Sequence, residues 1–452
     1  MSEWAAVILA AGRGTRMESD LPKVLHRVCG VEMIRHVVNA VQEVSDGPVL
    51  VVVAPEANEV RQCLGDSVEY VEQAEARGTG HALLQAEEAF RDKASRLLVL
   101  NGDIPLILPA TLSRLMDRHR KAEATVTLLT TDRIPSDGLG RIIRDKPLGQ
   151  VVGVVEEAAA DAAQLAITEV NGGVYGFQAE WLWPAIRELA ISAVGEYYLT
   201  DLVKMAVGAG VVVESVDSEE GVEILGVNNR VQLAQVELAM RERILRKLML
   251  GGVTIIDPAS TYIDAGVTIG RDTTVYPNTT VGGRSQVGNR CYLGPGSMIY
   301  DSVMGDDCKV VASMLEEAHL ESSIDVGPFS HLRPGAVVER DVHIGNYAEI
   351  KNSRLGRGTK MGHFSYLGDA QVGREVNIGA GTVTCNYDGV NKNQTVIEDN
   401  AFIGSDTMLV APVRIGARSA IGAGSVVNKD IPPDSVAVGM PARVRRRVRG
   451  HR

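Results

Sequence analysis

Residues 263–299 read IDAGVTIGRDTTVYPNTTVGGRSQVGNRCYLGPGSMI, and their rhythm decides the fold of the second half of the chain. Ile263, Ile269, Val275, Val281, Val287, Leu293 and Ile299 recur every six residues, with glycine directly after them at Gly270, Gly282, Gly288 and Gly294. The rhythm returns at Val326, Leu332, Val338, Ile344 and Ile350, and again at Ile397, Ile403, Leu409, Ile415, Ile421 and Val427. A hexapeptide period predicts a parallel β-helix: each short strand buries one aliphatic side chain, and glycine permits the turn at a corner. Where the period breaks, the chain is expected to protrude. The longest break covers residues 382–395 (TVTCNYDGVNKNQT), polar and turn-rich, and insertions in a solenoid often map to its binding face. The open ends and flat faces of such a solenoid also favour packing against further copies of the chain.

Upstream the pattern alternates. Apolar runs at residues 5–10, 49–53, 97–100 and 125–129 read as buried parallel strands, and residues 33–44 and 81–90 between them read as helices. Strand–helix alternation predicts a mostly parallel, Rossmann-like α/β sheet with helices on both faces, whose ligands sit beyond the carboxyl ends of the strands. Leu233, Val236, Met240, Ile244 and Leu248 then recur at three- and four-residue spacings, before Gly251-Gly252. That predicts one helix over residues 229–250 joining two unlike halves. The expected division is 1–228, a connector at 229–250, a β-helix at 251–440 and a basic tail at 441–452.

Composition excludes several classes. At 452 residues the chain exceeds one compact core, and no apolar run reaches the length of a membrane span. The short N-terminal apolar stretch follows Glu3 and runs into glycine and arginine, as a buried strand entering a loop does, so no signal peptide is expected and the cytoplasm is the default address. The five cysteines (Cys29, Cys63, Cys291, Cys308, Cys385) form no C-x-x-C pair, which argues against a disulfide framework or structural zinc. A net charge of −11 disfavours nucleic-acid binding. The exception is the crowd of arginines from Arg443 to Arg452, read as a solvated tail or a contributor to binding an anion.

The strand at residues 5–10 leads into LAAGRGTRM (residues 9–17), with Lys23 following. It is neither a Walker A loop nor a G-x-G-x-x-G fingerprint, but the physics is shared. Glycines let backbone N–H groups approach phosphate oxygens, while Arg16 and Lys23 supply fixed positive charge. The run resembles the signature of the nucleotide-diphospho-sugar pyrophosphorylases. Gln73 with Gly78-Thr79-Gly80-His81 is similar to that family's uracil-reading segment, and Asn101-Gly102-Asp103 to its acidic metal-binding turn. The segments Glu196–Asp201 and Gly226–Arg230 extend the likeness. The resemblance implies nucleotide contacts at Leu9, Ala10, Ala11, Gly12, Arg16, Lys23, Gln73, Gly78, Thr79 and Asn101, and sugar and ribose contacts at Gly140, Glu156 and Asn171. It assigns Mg²⁺ to Asp103 and Asn228. Asn101 stands where relatives often carry an aromatic residue, so a stacking or packing contact is expected to differ there.

Both halves together resemble the bacterial bifunctional N-acetylglucosamine-1-phosphate uridyltransferase/glucosamine-1-phosphate acetyltransferase family. That likeness implies a left-handed β-helix, a homotrimer with acetyl sites between subunits, and UTP, glucosamine 1-phosphate, N-acetylglucosamine 1-phosphate and acetyl-coenzyme A as substrates. It assigns the general base to His363, with Glu349 orienting it, and the sugar phosphate to Arg333 and Lys351. Tyr366, Asn377, Asn386 and Tyr387 would contact the sugar. The last two are also placed on acetyl-coenzyme A, whose groove Ala380, Ser405 and Ala423 would line. Gly439-Met440 replaces an arginine common in relatives, so Arg443 or the tail is expected to substitute. His331 and His343 read as solvent-facing. The rival reading, a nucleotidyltransferase whose β-helix is only a scaffold, would not need Arg333, Lys351, His363 and Tyr366 as a set.

Overall fold

The computed structural model describes residues 2–447 apart from Arg13, Asp92, Pro147 and Val194. The chain forms two compact units, Met1–Met240 and Arg241–Arg452, and one helix, Arg230–Leu250, carries the chain from the first into the second. Arg449 and Arg452, part of the expected basic tail, lie outside the described residues.

In the first unit the apolar runs form strands β1 (Ser2–Leu9), β2 (Val49–Val53), β3 (Glu69–Glu72), β4 (Ala94–Asn101), β5 (Val126–Thr131), β6 (Val170–Gln178) and β7 (Val213–Asp217). Their order in the sheet is β7-β5-β6-β4-β1-β2-β3, parallel except for β6, which runs antiparallel to β4 and β5. Side chains from both faces are excluded from water. Ala5, Val7 and Leu97 belong to one apolar cluster, and Trp4, Ile8 and Leu98 to the other, as a sheet covered by helices on both sides requires. The helix expected over residues 81–90 is two, Thr79–Leu84 and Glu87–Phe90. The break falls at Ala86, whose N–H bonds Leu83 O in a tighter turn. It turns Glu87 inward to meet Arg91 and Arg187.

The second unit is a left-handed β-helix of three sheets of short parallel strands, with 12, 10 and 9 strands; the 12-stranded sheet ends on one antiparallel strand. The hexapeptide residues fill its interior: Val275, Val281, Leu293, Ile299, Leu332, Val338, Ile344, Ile350 and Ile403 have no exposed surface. Ile269, on the first coil, is only partly covered. Between the regular blocks the coil continues instead of protruding, through Met304, Val310, Leu315, Leu320, Leu355, Met361 and Val372. The period is lost because several corners are one residue shorter. At those corners Asp301, Glu317, Asn352 and Asp369 take left-handed backbone, with φ of 45°, 45°, 43° and 50°. Within the break at 382–395, residues 386–394 leave the coil, since Val383–Cys385 and Thr395–Ile397 are coil strands on either side. The start of the basic tail is also structured. Arg443–Arg447 forms a strand antiparallel to Ser435–Val438, a pairing that the reading of this segment as a solvated tail or an anion-binding contributor did not include.

Candidate functional site

At the carboxyl ends of β1 and β4, Leu9 and Asn101 are register partners, and the Gly102 N–H donates to Leu9 O at 2.9 Å. The phosphate-type loop leaves β1 here and reaches Gly14 in left-handed backbone (φ 63°). A Cβ on Gly14 would lie 2.5 Å from the Lys23 Cβ, so glycine is what lets the lysine stem cross the loop. The Lys23 ammonium then donates to Asp103 Oδ2 at 2.5 Å and to Asn228 Oδ1 at 3.2 Å. Arg16 Nη2 donates to the same Asn228 oxygen at 3.0 Å. The backbone holds these groups in place: the Val227 N–H bonds Asp103 O, and the Asn228 N–H bonds Gln232 Oε1.

Asp103 and Asn228 therefore aim oxygens at one cation, at present the lysine ammonium. This donor set fits a hard divalent ion with Lys23 moved toward a phosphate. Among the described residues no group of three or more His, Cys, Asp and Glu side chains could hold a metal. An ion here would draw most of its shell from phosphate oxygens and water, as Mg²⁺ commonly does.

The adjoining cleft encloses about 300 Å³ and is lined by Leu9, Ala10, Ala11, Gly12, Lys23, Gln73, Gly78, Thr79, Asn101 and Asp103, with Val24, Ala76, Ala82 and Glu196. Gln73 Nε2 donates to Gly78 O at 3.1 Å, which leaves its Oε1 as an acceptor. Asn101 packs against Gly173, where a Cβ would lie 2.7 Å from Asn101 Nδ2.

Gly140, Glu156 and Asn171 form a neighbouring group. The Asn171 N–H donates to Gly140 O at 2.8 Å, and a Cβ on Gly140 would lie 3.5 Å from Glu156 Oε2. Burial pushes the Glu156 carboxyl above its ordinary range, against the bond it accepts from Thr200 Oγ1 at 2.8 Å; the Asp201 and Glu196 charges push the same way as burial. Asn171 Nδ2 donates to Tyr175 Oη at 2.6 Å. Thr200 and Tyr175 escaped the sequence reading, although Thr200 sits inside the segment Glu196–Asp201. Nothing in residue spacing marks either as the partner of Glu156 or Asn171.

In the β-helix the site residues are placed by register. Met361, Ile378, Ile403 and Ile421 are stacked partners on successive coils. Two residues beyond them, at the same corner, come His363, Ala380, Ser405 and Ala423. Coils about 4.8 Å apart make this column about 14 Å long, enough for an extended ligand. His363 is exposed and, among the described residues, makes no hydrogen bond. On the sheet that follows this corner, His331, Glu349 and Tyr366 are register partners, as are Lys351 and Gly368. Arg333 Nη1 donates to Glu349 Oε1 at 2.7 Å, so within one chain Glu349 is committed to Arg333 and not to His363. Lys392 and Arg333 crowd Lys351 and lower its pKa, chiefly through contact with Lys392. Three cations thus gather, with Glu349 paired to Arg333 and the Asp369 charge partly offsetting the crowding at Lys351.

Asn377 lies on the preceding sheet, in line with Lys360 and Phe402, so one chain does not bring it onto the face of Arg333 and Tyr366. Asn386 and Tyr387 open the excursion, which is closed by a bridge from Tyr387 to Lys392. His331 and His343 pair with Glu316 and Asp325.

A MobA-like NTP transferase domain model matches residues 6–189, and a bacterial transferase hexapeptide model (six repeats) matches residues 266–301 and 394–429. The chain is 46% identical over 436 residues to the bifunctional protein GlmU of Syntrophomonas wolfei, covering 96% of this chain and 97% of that one. It is 45% identical over 451 residues to the GlmU of Pelobacter propionicus (99% and 98% covered). The GlmU of Lactococcus lactis is 46% identical over 435 residues (96% and 95%).

Proposed function

The chain belongs to the family of the bifunctional GlmU proteins, and from that premise we propose how its two units divide the work. It is an enzyme with two transferase activities, both in the synthesis of UDP-N-acetylglucosamine. The β-helix, residues 251–440, moves the acetyl group of acetyl-coenzyme A onto the amine of glucosamine 1-phosphate, releasing coenzyme A. The α/β unit, residues 1–228, joins the resulting N-acetylglucosamine 1-phosphate to UTP, giving UDP-N-acetylglucosamine and pyrophosphate. Residues 229–250 link the two. The observation that carries the reading is that one chain holds both the phosphate-loop cleft and the stacked corner of His363, Ala380, Ser405 and Ala423.

In the α/β unit the attacking sugar phosphate is already an anion, so no protein base is needed. The barrier is repulsion between anions. Lys23 and Arg16 meet the phosphates, the Gly12 loop lets backbone N–H groups approach them, and Gln73 offers Oε1 to the uracil. Glu156 and Asn171 hold the sugar. Asp103 and Asn228 would hold Mg²⁺, which supplies charge neutralisation at the phosphates.

In the β-helix, Arg333 and Lys351 clamp the sugar phosphate, with Tyr366 and Asn377 on the sugar. His363 takes the proton as the amine nitrogen attacks the thioester carbon. The carbon–sulfur bond breaks, and the thiolate leaves and is reprotonated. Because Asn377 and Tyr366 occupy different faces around the His363 corner, a site using both is completed by a second copy; a homotrimer through the β-helix meets that need. Five free cysteines suit a reducing cytoplasm.

A coupled assay with glucosamine 1-phosphate, acetyl-coenzyme A, UTP and Mg²⁺, omitting one component at a time, tests the reading. Nucleotide sugar should form only with all four present. Omitting UTP or Mg²⁺ should still release coenzyme A. If the chain never acetylates glucosamine 1-phosphate, the β-helix is a scaffold and the reading fails.

A further inference from the structure

The corner between the second and third sheets carries a polar ladder. Asp369 ends the strand Ser365–Gly368 in left-handed backbone, with its N–H bonded to Lys351 O at 3.1 Å and its carbonyl accepting from the Thr395 N–H at 3.2 Å. Its carboxylate accepts from Asn352 Nδ2 at 2.6 Å on the coil before and from Asn386 Nδ2 at 2.5 Å on the coil after. Asn386 is 9% exposed and is the residue from which the excursion leaves the coil. A Cβ on Gly368 would lie 2.3 Å from Tyr366 Oη and 2.7 Å from Asn386 Nδ2, so the phenol and the amide converge above that glycine.

A carboxylate only accepts hydrogen bonds. Asp369 therefore dictates which end of the Asn386 amide faces it: the NH₂ must, and Oδ1 must face away. Among the described residues Oδ1 accepts no hydrogen bond. A neutral amine has N–H donors and one lone pair. An acceptor that takes an N–H leaves that lone pair free for the thioester carbon, whereas a donor in the same place would occupy the lone pair.

We propose that Asp369 is a positioning residue of acetyl transfer, which fixes Asn386 with its carbonyl oxygen toward the amine of the sugar substrate. This rests on the acetyltransferase reading above. Asp369 touches neither substrate and acts through Asn386.

The test compares four proteins: the wild type, Asp369→Asn, Asn386→Asp and the double variant that exchanges the two residues. Each full-length protein is assayed for thiol release from acetyl-coenzyme A and, separately, for uridylyl transfer to N-acetylglucosamine 1-phosphate. Asp369→Asn should lower kcat for acetyl transfer by about 10- to 100-fold, the loss expected when a positioned group is released. Its uridylyl transfer should stay at the wild-type level. Asn386→Asp, which sets two carboxylates against each other, should lose at least as much. The exchanged pair restores one amide-to-carboxylate bond and an outward acceptor at position 386, so it should recover most of the loss. Ordinary loss of packing would not be repaired by the exchange. Full acetyl transfer by Asp369→Asn, or an exchanged pair no better than the single variants, overturns the proposal. A wild type that fails to acetylate at all overturns the reading beneath it instead.

Discussion

Asp103 and Asn228 meet because a strand end and a loop more than a hundred residues later fold onto the same lysine, whereas His363, Ala380, Ser405 and Ala423 line up because a solenoid repeats. In the α/β unit, the contacts depend on long-range folding: the Lys23 ammonium must reach Asp103, and the backbone of Val227 must bond that of Asp103. In the β-helix, one register carries a whole column, and each coil leans only on its neighbours. A convergent site is therefore brittle in its ligands, and a stacked site is brittle in its coils.

The largest effect separating the two should come from the solenoid core. Ile350 is fully buried on the strand Ala348–Lys351, which also carries Lys351. Ile350→Ala should destabilise the β-helix by roughly 2–5 kcal/mol. In a thermal melt followed by both activities, acetyl transfer should fail at a lower temperature than uridylyl transfer; simultaneous loss would show that the units do not unfold separately. A smaller effect belongs to the anion clamp. Lys351→Ala should raise KM for glucosamine 1-phosphate by roughly 10- to 100-fold, the size of a hydrogen bond to a charged group, with little change for acetyl-coenzyme A. Steady-state kinetics with each substrate varied would check it. The smallest concerns Glu156. Its raised pKa means that the folded unit favours the protonated acid, so the stability it contributes is present at low pH and is lost as pH rises through the folded value. Glu156→Gln should therefore be more stable than the wild type at pH 7 and equal to it below the ordinary glutamate pKa of about 4.3. Denaturant unfolding at both pH values reads the difference.

How much was legible follows the same contrast. Six-residue spacing located the coils because nearly every inward residue is aliphatic, and the same register later aligned His363 with Ala380, Ser405 and Ala423. The coils through Met304 and Leu320 were hidden because Asp301 and Glu317 turn tight corners without glycine, removing one residue from the count. The excursion was placed too broadly for a related reason: Val383–Cys385 is a coil strand whose inward residue, in register with Leu409, is Thr384. Arginines masked the strand Arg443–Arg447, since backbone pairing at an edge tolerates charged side chains. In the α/β unit the strands were visible as apolar runs. No spacing relates Lys23 to Asp103, Thr200 to Glu156 or Tyr175 to Asn171, and the pairing of Glu349 with Arg333 depends on two coils lying side by side.

The most direct test assays Asp103→Ala and His363→Ala for both half-reactions in parallel. Asp103→Ala should lose uridylyl transfer and retain acetyl transfer. His363→Ala should lose acetyl transfer by roughly 10²–10⁴-fold, the usual share of a general base, and retain uridylyl transfer. Undiminished acetyl transfer in His363→Ala, or uridylyl transfer surviving in Asp103→Ala, would contradict the assignment of one chemistry to each unit.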